Sequence, residues 1–545
     1  MHDKLEATSK NSMLSLMRTN RKIHNIVLPF TVHRFVLDVS EQVFAQTNAR
    51  IEAWIESGDL VKKYTRHLTL RAPCLVVDPE HGAYGRMHWV RWKAITQLLR
   101  VLKQLKSLIF DCPTTPPYIL LATLERHHPT AHLHVRDFTR NRHLSGHDQS
   151  EMALAESTLL RSFHAYHSVS QARYPDLRWA VFLRIVRGAP NLQSVSFEAL
   201  KEEPLVGLIP TTPHGKAAYD ALLAGTWHGK RNIRSIHVDG AEALAGVLEC
   251  VNMECIEELG LLRIGADWEG MCGATLRALR ELRLLFEPMH AADSVTRALV
   301  GERVSTFFSE LPPLESLSIL GPRDVLPDLS AVLARHGPSL RRLHIHQREV
   351  YPEPGVPPRR VLSIGELTSI RDDCPHLIDI SIDIDPTGHS HIGAVCDLLG
   401  RPPRLHRATI NFDIGLHLVD AMMRHASRAS DQPESWPADL VDLDARFQRY
   451  RAFNNAHASA MWYAIAAEGT RHAELVIREG EPDSPVWATR VAGDIMLFPA
   501  VEAKLSRQYR VTPSERDNQR IEVAVDQTAV SVSAMRRLCD ADPVL

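Results

Sequence analysis

Apolar residues recur along most of this chain at helical spacing and then at strand spacing, and residues 328–346 show the alternation most clearly. Leu329, Val332 and Leu333 share one face of a predicted helix, because they stand at the i, i+3, i+4 spacing. The pair Gly337–Pro338 follows them. We expect this pair to end the helix, because glycine accepts left-handed geometry and proline cannot continue the hydrogen-bond ladder.

A strand pattern follows that helix. Leu340, Leu343 and Ile345 stand at the spacing L-x-x-L-x-Φ, where Φ is apolar, and the last two fall on one side of a strand. The same pattern recurs along the chain, and its middle positions are Val195, Ile236, Leu259, Leu282, Leu317, Leu343, Ile380 and Ala408. Successive middle positions are 23 to 41 residues apart. A regular alternation of helices and strands predicts an α/β fold with parallel strands.

This spacing resembles that of the leucine-rich repeat family in a degenerate form. Family repeats run about 20 to 29 residues, so the longer gaps require insertions; residues 348–360, with four prolines, are the clearest one. The Asn or Cys that the family places eight positions after the first Leu is missing. The resemblance implies a solenoid over residues 46–414, with a curved parallel sheet and outer helices, and a mixed C-terminal capping region over residues 415–545. An ordinary parallel α/β sheet is the alternative.

Residues 1–45 carry a second resemblance. Met13, Leu16, Arg21, His24 and Ile26 match the second half of the F-box in fungal F-box and leucine-rich-repeat proteins. The resemblance implies a short helical segment that binds the adaptor subunit of cullin–RING ubiquitin ligases. The expected adaptor contacts are Leu16, Met17, Ile23, Ile26 and Leu28.

The first half of the F-box, a Leu-Pro start and an apolar helix, has no counterpart in Met1–Ser12. Three explanations stay open: a degenerate F-box, a truncated gene model, or a lost F-box. A different role is also open, in which the N-terminal helix only covers the end of the repeat array.

Composition narrows the classes of partner. The formal net charge of −2 argues against nucleic acid as the main partner. We find no apolar run of the length that spans a bilayer and no signal-peptide core, so we expect a cytoplasmic or nuclear protein. Six Lys/Arg against two Asp/Glu in residues 1–36 also allow a mitochondrial presequence. The spacing of the eight cysteines indicates neither a zinc site nor a disulfide framework.

Candidate catalytic and metal-binding motifs are weak. His344 and His346, with Asp379 or Asp383 from the next strand, could ligate zinc, but exposed strand histidines explain the pattern more simply. Residues 388–392 resemble a nucleophile elbow that lacks its final glycine. Phosphate-loop and dinucleotide fingerprints are missing from the sequence. We therefore expect no enzyme activity, cofactor or metal.

The remaining candidate is a surface. In a curved repeat array, the side chains between the buried strand positions line the concave face, where partners commonly bind. The residues expected to bind a protein there are Arg283, Arg342, His344, His346, Asp379, Asp383, Arg407 and Asn411. The leading hypothesis is a substrate receptor of a cullin–RING ligase. The alternatives are a free-standing interaction protein and an unrecognised α/β enzyme.

Overall fold

The computed structural model describes residues 33–40, 44–72, 84–138, 140, 148–167, 177–199, 213–224, 229–265, 268, 271–287, 294–323, 326, 328–347, 361–384, 389–402, 404–412, 455–467, 474–479, 507–513 and 521–527. The chain divides into two compact units, Met1–Ile256 and Glu257–Leu545. The five expected adaptor contacts, Leu16, Met17, Ile23, Ile26 and Leu28, lie outside the described residues.

The first unit repeats strands and helices in chain order, and each strand pairs in parallel with the next one along the chain. Its described strands are β1 (Arg34–Asp38), β2 (His67–Arg71), β3 (Ser107–Asp111), β4 (His132–Phe138), β5 (Leu160–His167), β6 (Ser194–Ala199) and β7 (Ser235–Asp239). Its described helices are α1 (Phe44–Ser57), α2 (Asp59–Tyr64), α3 (Tyr84–Val101), α4 (Tyr118–His127), α5 (Gln149–Glu156), α6 (Arg178–Gly188), α7 (Pro213–Leu223) and α8 (Ala241–Leu248), with a 3₁₀ turn at Met253–Cys255.

The second unit continues the same alternation. Its described strands are β8 (Glu258–Ile264), β9 (Glu281–Phe286), β10 (Ser316–Leu320), β11 (Arg342–His346), β12 (Asp379–Ile384), β13 (Arg407–Phe412), β14 (Glu474–Glu479), β15 (Arg507–Pro513) and β16 (Ile521–Gln527). Strands β8 to β14 pair in parallel, whereas β14, β15 and β16 pair antiparallel. The described helices are α9 (Ser294–Glu310), α10 (Leu329–His336), α11 (Ile364–Asp373), α12 (His389–Gly400) and α13 (Asn455–Ala467), with 3₁₀ turns at Gly273–Thr275 and Gly337–Ser339.

The predicted apolar strand positions form the core of the second unit. Leu317 is in register with Leu343, Leu343 with Ile380, and Ile380 with Ala408, on four adjacent parallel strands. All four side chains are at most 1% exposed. Burying a leucine or isoleucine side chain contributes about 1.5–3 kcal/mol, so these rows stabilise the strand order strongly. The predicted parallel α/β alternation is confirmed.

Helix α10 begins and ends where the pattern predicts. The side chain of Asp328 accepts a hydrogen bond from the Ser330 amide at 3.1 Å and caps the helix start. The helix ends at His336, but the expected reason was wrong, because Gly337 has a right-handed φ of −52°. A Cβ at Gly337 would stand 2.6 Å from the carbonyl oxygen of Asp373. Close approach of the next repeat, not left-handed backbone, therefore requires glycine here.

A buried ion pair holds a loop in each unit. In the first unit, Arg140 Nε lies 2.8 Å from Glu151 Oε1, and the two side chains are 4% and 3% exposed. In the second unit, Arg323 Nη1 lies 3.1 Å from Glu366 Oε1, at 6% and 11% exposure. Each pair joins a residue that follows a strand to the first turn of a helix. Removing one member of a buried ion pair is costly, because the charge of the other member stays buried. Each pair therefore holds its arginine against the first turn of the helix.

The C-terminal region combines confirmed and unpredicted elements. The residue pattern predicts a helix over residues 443–468 and strands over residues 472–477, 494–498 and 520–525. Helix α13 lies within the predicted helix, β14 and β16 overlap two of the predicted strands, and β14 extends the parallel pairing beyond residue 414. Strand β15 was not predicted. The strand expected at residues 494–498 lies outside the described residues.

Candidate protein-interaction face

Strand β11 shows how the fold separates buried and outward side chains. Leu343 and Ile345 are 0% and 1% exposed, whereas Arg342 and His344, on the opposite side, are 46% and 41% exposed. Neighbouring strands stand in register, so their outward residues form one surface. We call this surface the polar strand face; its members are Glu281, Arg283, Ser316, Ser318, Arg342, His344, His346, Asp379, Ser381, Arg407, Thr409 and Glu474.

The first outward residue of each strand forms a row of mixed charge. Register places Arg342 beside Asp379, Asp379 beside Arg407, and Arg407 beside Glu474. Arg407 Nε lies 3.1 Å from Glu474 Oε2, and Arg342 contacts Glu281 across the intervening strand. These side chains are partly exposed, so each pair is worth about 0–1 kcal/mol. The row therefore adds little to the stability of the fold, and its main feature is the pattern of charge that it presents at the surface.

A second row contains Arg283 and His344, whereas His346 stands one row further along, in register with Leu320. His344 Nε2 lies 3.7 Å from Asp379 Oδ1, which is an electrostatic contact beyond hydrogen-bond distance. Arg283 is exposed on β9 and is in register with Ser318, which is in register with His344. The structure thus brings Arg283, His344 and the first row onto one face.

Asp383 and Asn411 lie below this surface, at 2% and 4% exposure. The Asp383 carboxylate accepts hydrogen bonds from the Gln347 amide at 2.6 Å, from His346 Nδ1 at 2.8 Å and from Asn411 Nδ2 at 3.2 Å. We expected Asp383 and Asn411 to contact a protein partner on the concave face, but the structure buries both side chains. Three donors satisfy the buried carboxylate, and the network fixes the orientation of the half-exposed His346 ring.

Two acidic members of the face were missed in the sequence. Glu281 and Glu474 begin β9 and β14, as Arg342, Asp379 and Arg407 begin their own strands. Aligning the residue before each middle apolar position would have found both. Glu474 also lies 2.5 Å from Arg510 Nη1, so it joins two arginines.

The first unit carries a histidine-rich strand face. His67 Nδ1 lies 2.8 Å from Ser107 Oγ, and His134 Nδ1 lies 2.8 Å from Ser162 Oγ. Burial, followed by the charges of neighbouring His132 and arginines, lowers the pKa of His134 to about 4. The ring is therefore neutral at pH 7.

The histidines at positions 127, 128, 132 and 134 stand close together in the sequence, a pattern that zinc sites share, but the structure disperses them. His128 is buried, with Nε2 2.6 Å from the carbonyl oxygen of Leu99, whereas His127 and His132 are exposed. Across the described ranges, no group of three or more His, Cys, Asp or Glu side chains is arranged to hold a metal ion. Cys112, Cys250 and Cys374 are buried, and burial raises the pKa of Cys374 to about 12.

Two comparisons with known proteins gave no match. No protein-family model matches the chain, and no curated protein matches it significantly. In the part of the chain that the structure describes, no helix has both the length and the apolar character needed to cross a membrane. The fold and the face define the class, an α/β protein of repeated strands and helices with a largely parallel sheet.

Proposed function

We propose that this chain is a protein-binding receptor whose target docks on the polar strand face. One observation carries the proposal: Arg342, Asp379 and Arg407 stand side by side in register at the starts of adjacent strands. Fixed charges of alternating sign select a partner of complementary pattern and penalise the wrong one. Rigid strands hold such charges more precisely than loops do.

The supporting residues have distinct roles in this proposal. Arg342 is half-exposed, and arginine is enriched among the residues that dominate binding energy at interfaces. His346 is held by the buried Asp383, so it presents one ring orientation to a target. Asp383 and Asn411 support the face from below, whereas Arg283, Arg342, His344, Asp379 and Arg407 would contact the target.

The proposal extends to coupling with a cullin–RING ligase. The F-box-like pattern of residues 13–29, next to a repeat pattern that resembles degenerate leucine-rich repeats, supports this extension. In that role the chain is the substrate-recognition subunit, and catalysis belongs to the partner enzymes. The free-standing receptor differs only in lacking the adaptor contact.

Titration of the full chain with the purified ligase adaptor subunit tests the coupling. We expect binding by the intact chain, and loss of binding for Ile26→Asp and for Leu28→Asp. Arg342→Glu is the matched control, because it changes the polar strand face and should leave adaptor affinity unchanged. No binding by the intact chain would reject the ligase role and leave the free-standing receptor.

Quantitative affinity capture from cells tests the face itself. The intact chain and Arg342→Glu/Arg407→Glu are compared, with Arg277→Glu as a surface control away from the outward strand positions. We expect one set of captured proteins to be lost with the double variant and kept with the control. Capture of the same proteins by all three chains would reject the polar strand face as the target site.

A further inference from the structure

Two neighbouring turns of the first unit carry a dense positive charge. Residues 62–66 and 100–107, which lead from helices into β2 and β3, contain six Lys/Arg and no Asp/Glu. The Lys103 amide donates to the Lys62 carbonyl at 2.9 Å, and the Lys106 amide donates to the Arg66 carbonyl at 2.7 Å. The turns therefore lie side by side. We call their cations the basic edge: Lys62, Lys63, Arg66, Arg100, Lys103 and Lys106.

Carboxylates do not neutralise the centre of the basic edge. Among the described residues, no ion pair joins Arg66, Lys103 or Lys106 to an acidic side chain. Lys103 and Lys106 are exposed. The pKa of the adjacent His33 is lowered, first by burial and then by charges that include Arg66 and Lys106, which agrees with a positive local potential.

Some turns and adjoining helix ends of the second unit place carboxylates beside their arginines. Arg280 Nη1 lies 3.6 Å from Glu315 Oε1, and Asp397 accepts hydrogen bonds from Arg371 at 2.8 Å and from Arg401 at 3.1 Å. Helix dipoles favour basic residues at helix C-termini in both units. The dipole therefore does not explain why the centre of the basic edge lacks, among the described residues, the acidic partners found in the second unit. The positive charge of Arg66, Lys103 and Lys106 at the centre of the basic edge points to an anionic group from another molecule.

The geometry points to the basic edge as the docking site for an acidic segment of a protein partner. Leu60, Lys63 and Tyr64 share one face of α2, and Leu60 is 43% exposed. An acidic segment that also carries an aliphatic side chain would fit this combination. Single-stranded nucleic acid would need aromatic platforms for its bases, whereas Tyr64 is half-buried with the Lys63 ammonium 5.2 Å from its ring centroid.

Fluorescence anisotropy with the full chain tests this site. The probe is a labelled short peptide of Asp, Glu and Leu, and the control peptide has Asn and Gln in place of the acids. We expect the acidic peptide to bind at low salt and to weaken as salt rises. Lys103→Glu/Lys106→Glu should weaken binding by about tenfold or more, because it places like charges against the peptide. The milder Lys103→Gln/Lys106→Gln, checked by circular dichroism, should weaken it by about threefold.

Arg341→Glu/Arg404→Glu, on the corresponding turns of the second unit, is the matched control and should leave peptide affinity within about twofold. Arg342→Glu should also keep peptide binding, which separates this inference from the proposed target site on the polar strand face. Absence of peptide binding, or an equal loss in the matched control, would overturn the assignment. Tighter binding of oligo-dT or of phosphatidylserine vesicles than of the peptide would overturn it as well.

Discussion

Replacing Asp383 with asparagine should destabilise the second unit, although the two side chains have nearly the same shape. Oδ2 of Asp383 accepts from the Gln347 amide at 2.6 Å, whereas Oδ1 accepts from His346 and from Asn411. An asparagine has one acceptor oxygen and one NH₂ group. The asparagine oxygen can replace only one of the two carboxylate oxygens as a hydrogen-bond acceptor. In place of the other oxygen, the NH₂ group of asparagine faces a group that also donates.

The arrangement of lower free energy keeps the two hydrogen bonds to His346 and Asn411 and loses the hydrogen bond from the Gln347 amide. A hydrogen bond to a charged group contributes about 1.5–3 kcal/mol, and leaving the buried amide unsatisfied adds to that loss. We expect Asp383→Asn to lower the free energy of unfolding by about 2–3 kcal/mol. Asp379→Asn is the matched control on the same strand and the same face, where the side chain is 22% exposed. It should cost less than about 0.5 kcal/mol.

Urea unfolding followed by circular dichroism measures the shift in midpoint at constant m-value. Because the chain has two compact units, hydrogen exchange of the amides in β11 to β13 should accompany it, to locate the effect. Equal effects of the two substitutions, or a change below about 0.5 kcal/mol for Asp383→Asn, would refute the buried-carboxylate account.

Three further substitutions test other parts of the fold. The folded-state pKa of His134 is about 4, below the ordinary histidine pKa of about 6.5, so the unfolded chain binds protons first and stability falls as pH drops from 6.5 to 4. His134→Gln should reduce this acid-induced loss of stability by about 2 kcal/mol, a value that allows for solvent screening. The measurement compares the free energy of unfolding at pH 7 and at pH 4 for the intact chain and the variant. Glu151→Gln removes the carboxylate of a buried ion pair and should cost about 3–5 kcal/mol in urea unfolding, whereas a mild effect would mean that solvent reaches the pair. Leu343→Ala should cost about 2–5 kcal/mol by thermal or urea unfolding, and the outward Ser318→Ala should change stability by less than about 0.5 kcal/mol.

The repeating core was predictable because its signal is local. A strand that buries one side needs apolar residues two positions apart, and Leu343 and Ile345 satisfy that need within a single strand. The helix stop after His336 was also visible in the residues themselves. Its physical reason was not, because the contact that requires Gly337 comes from Asp373, in the next helix.

The candidate site was harder to predict because its character depends on neighbouring strands. Asp379 and Asp383 occupy equivalent outward positions in the same strand, yet one is half-buried and the other is fully buried. The difference arises from Gln347 and Asn411, which belong to other elements. Strand β15 was missed for a similar reason. Tyr509 and Val511 alternate with polar residues over too few positions to identify a strand until β14 and β16 pair with it.

The reversal of strand direction at β14 limits how this protein could be lengthened. A duplicated strand–helix repeat placed between β10 and β13 would meet a parallel neighbour on each side, with the same hydrogen-bonding pattern as the original. The same repeat placed after β14 would displace the hairpin of β15 and β16, whose hydrogen bonds require antiparallel neighbours. Growth by gene duplication, or by engineering, is therefore permitted in the interior of the array and blocked at its closing hairpin.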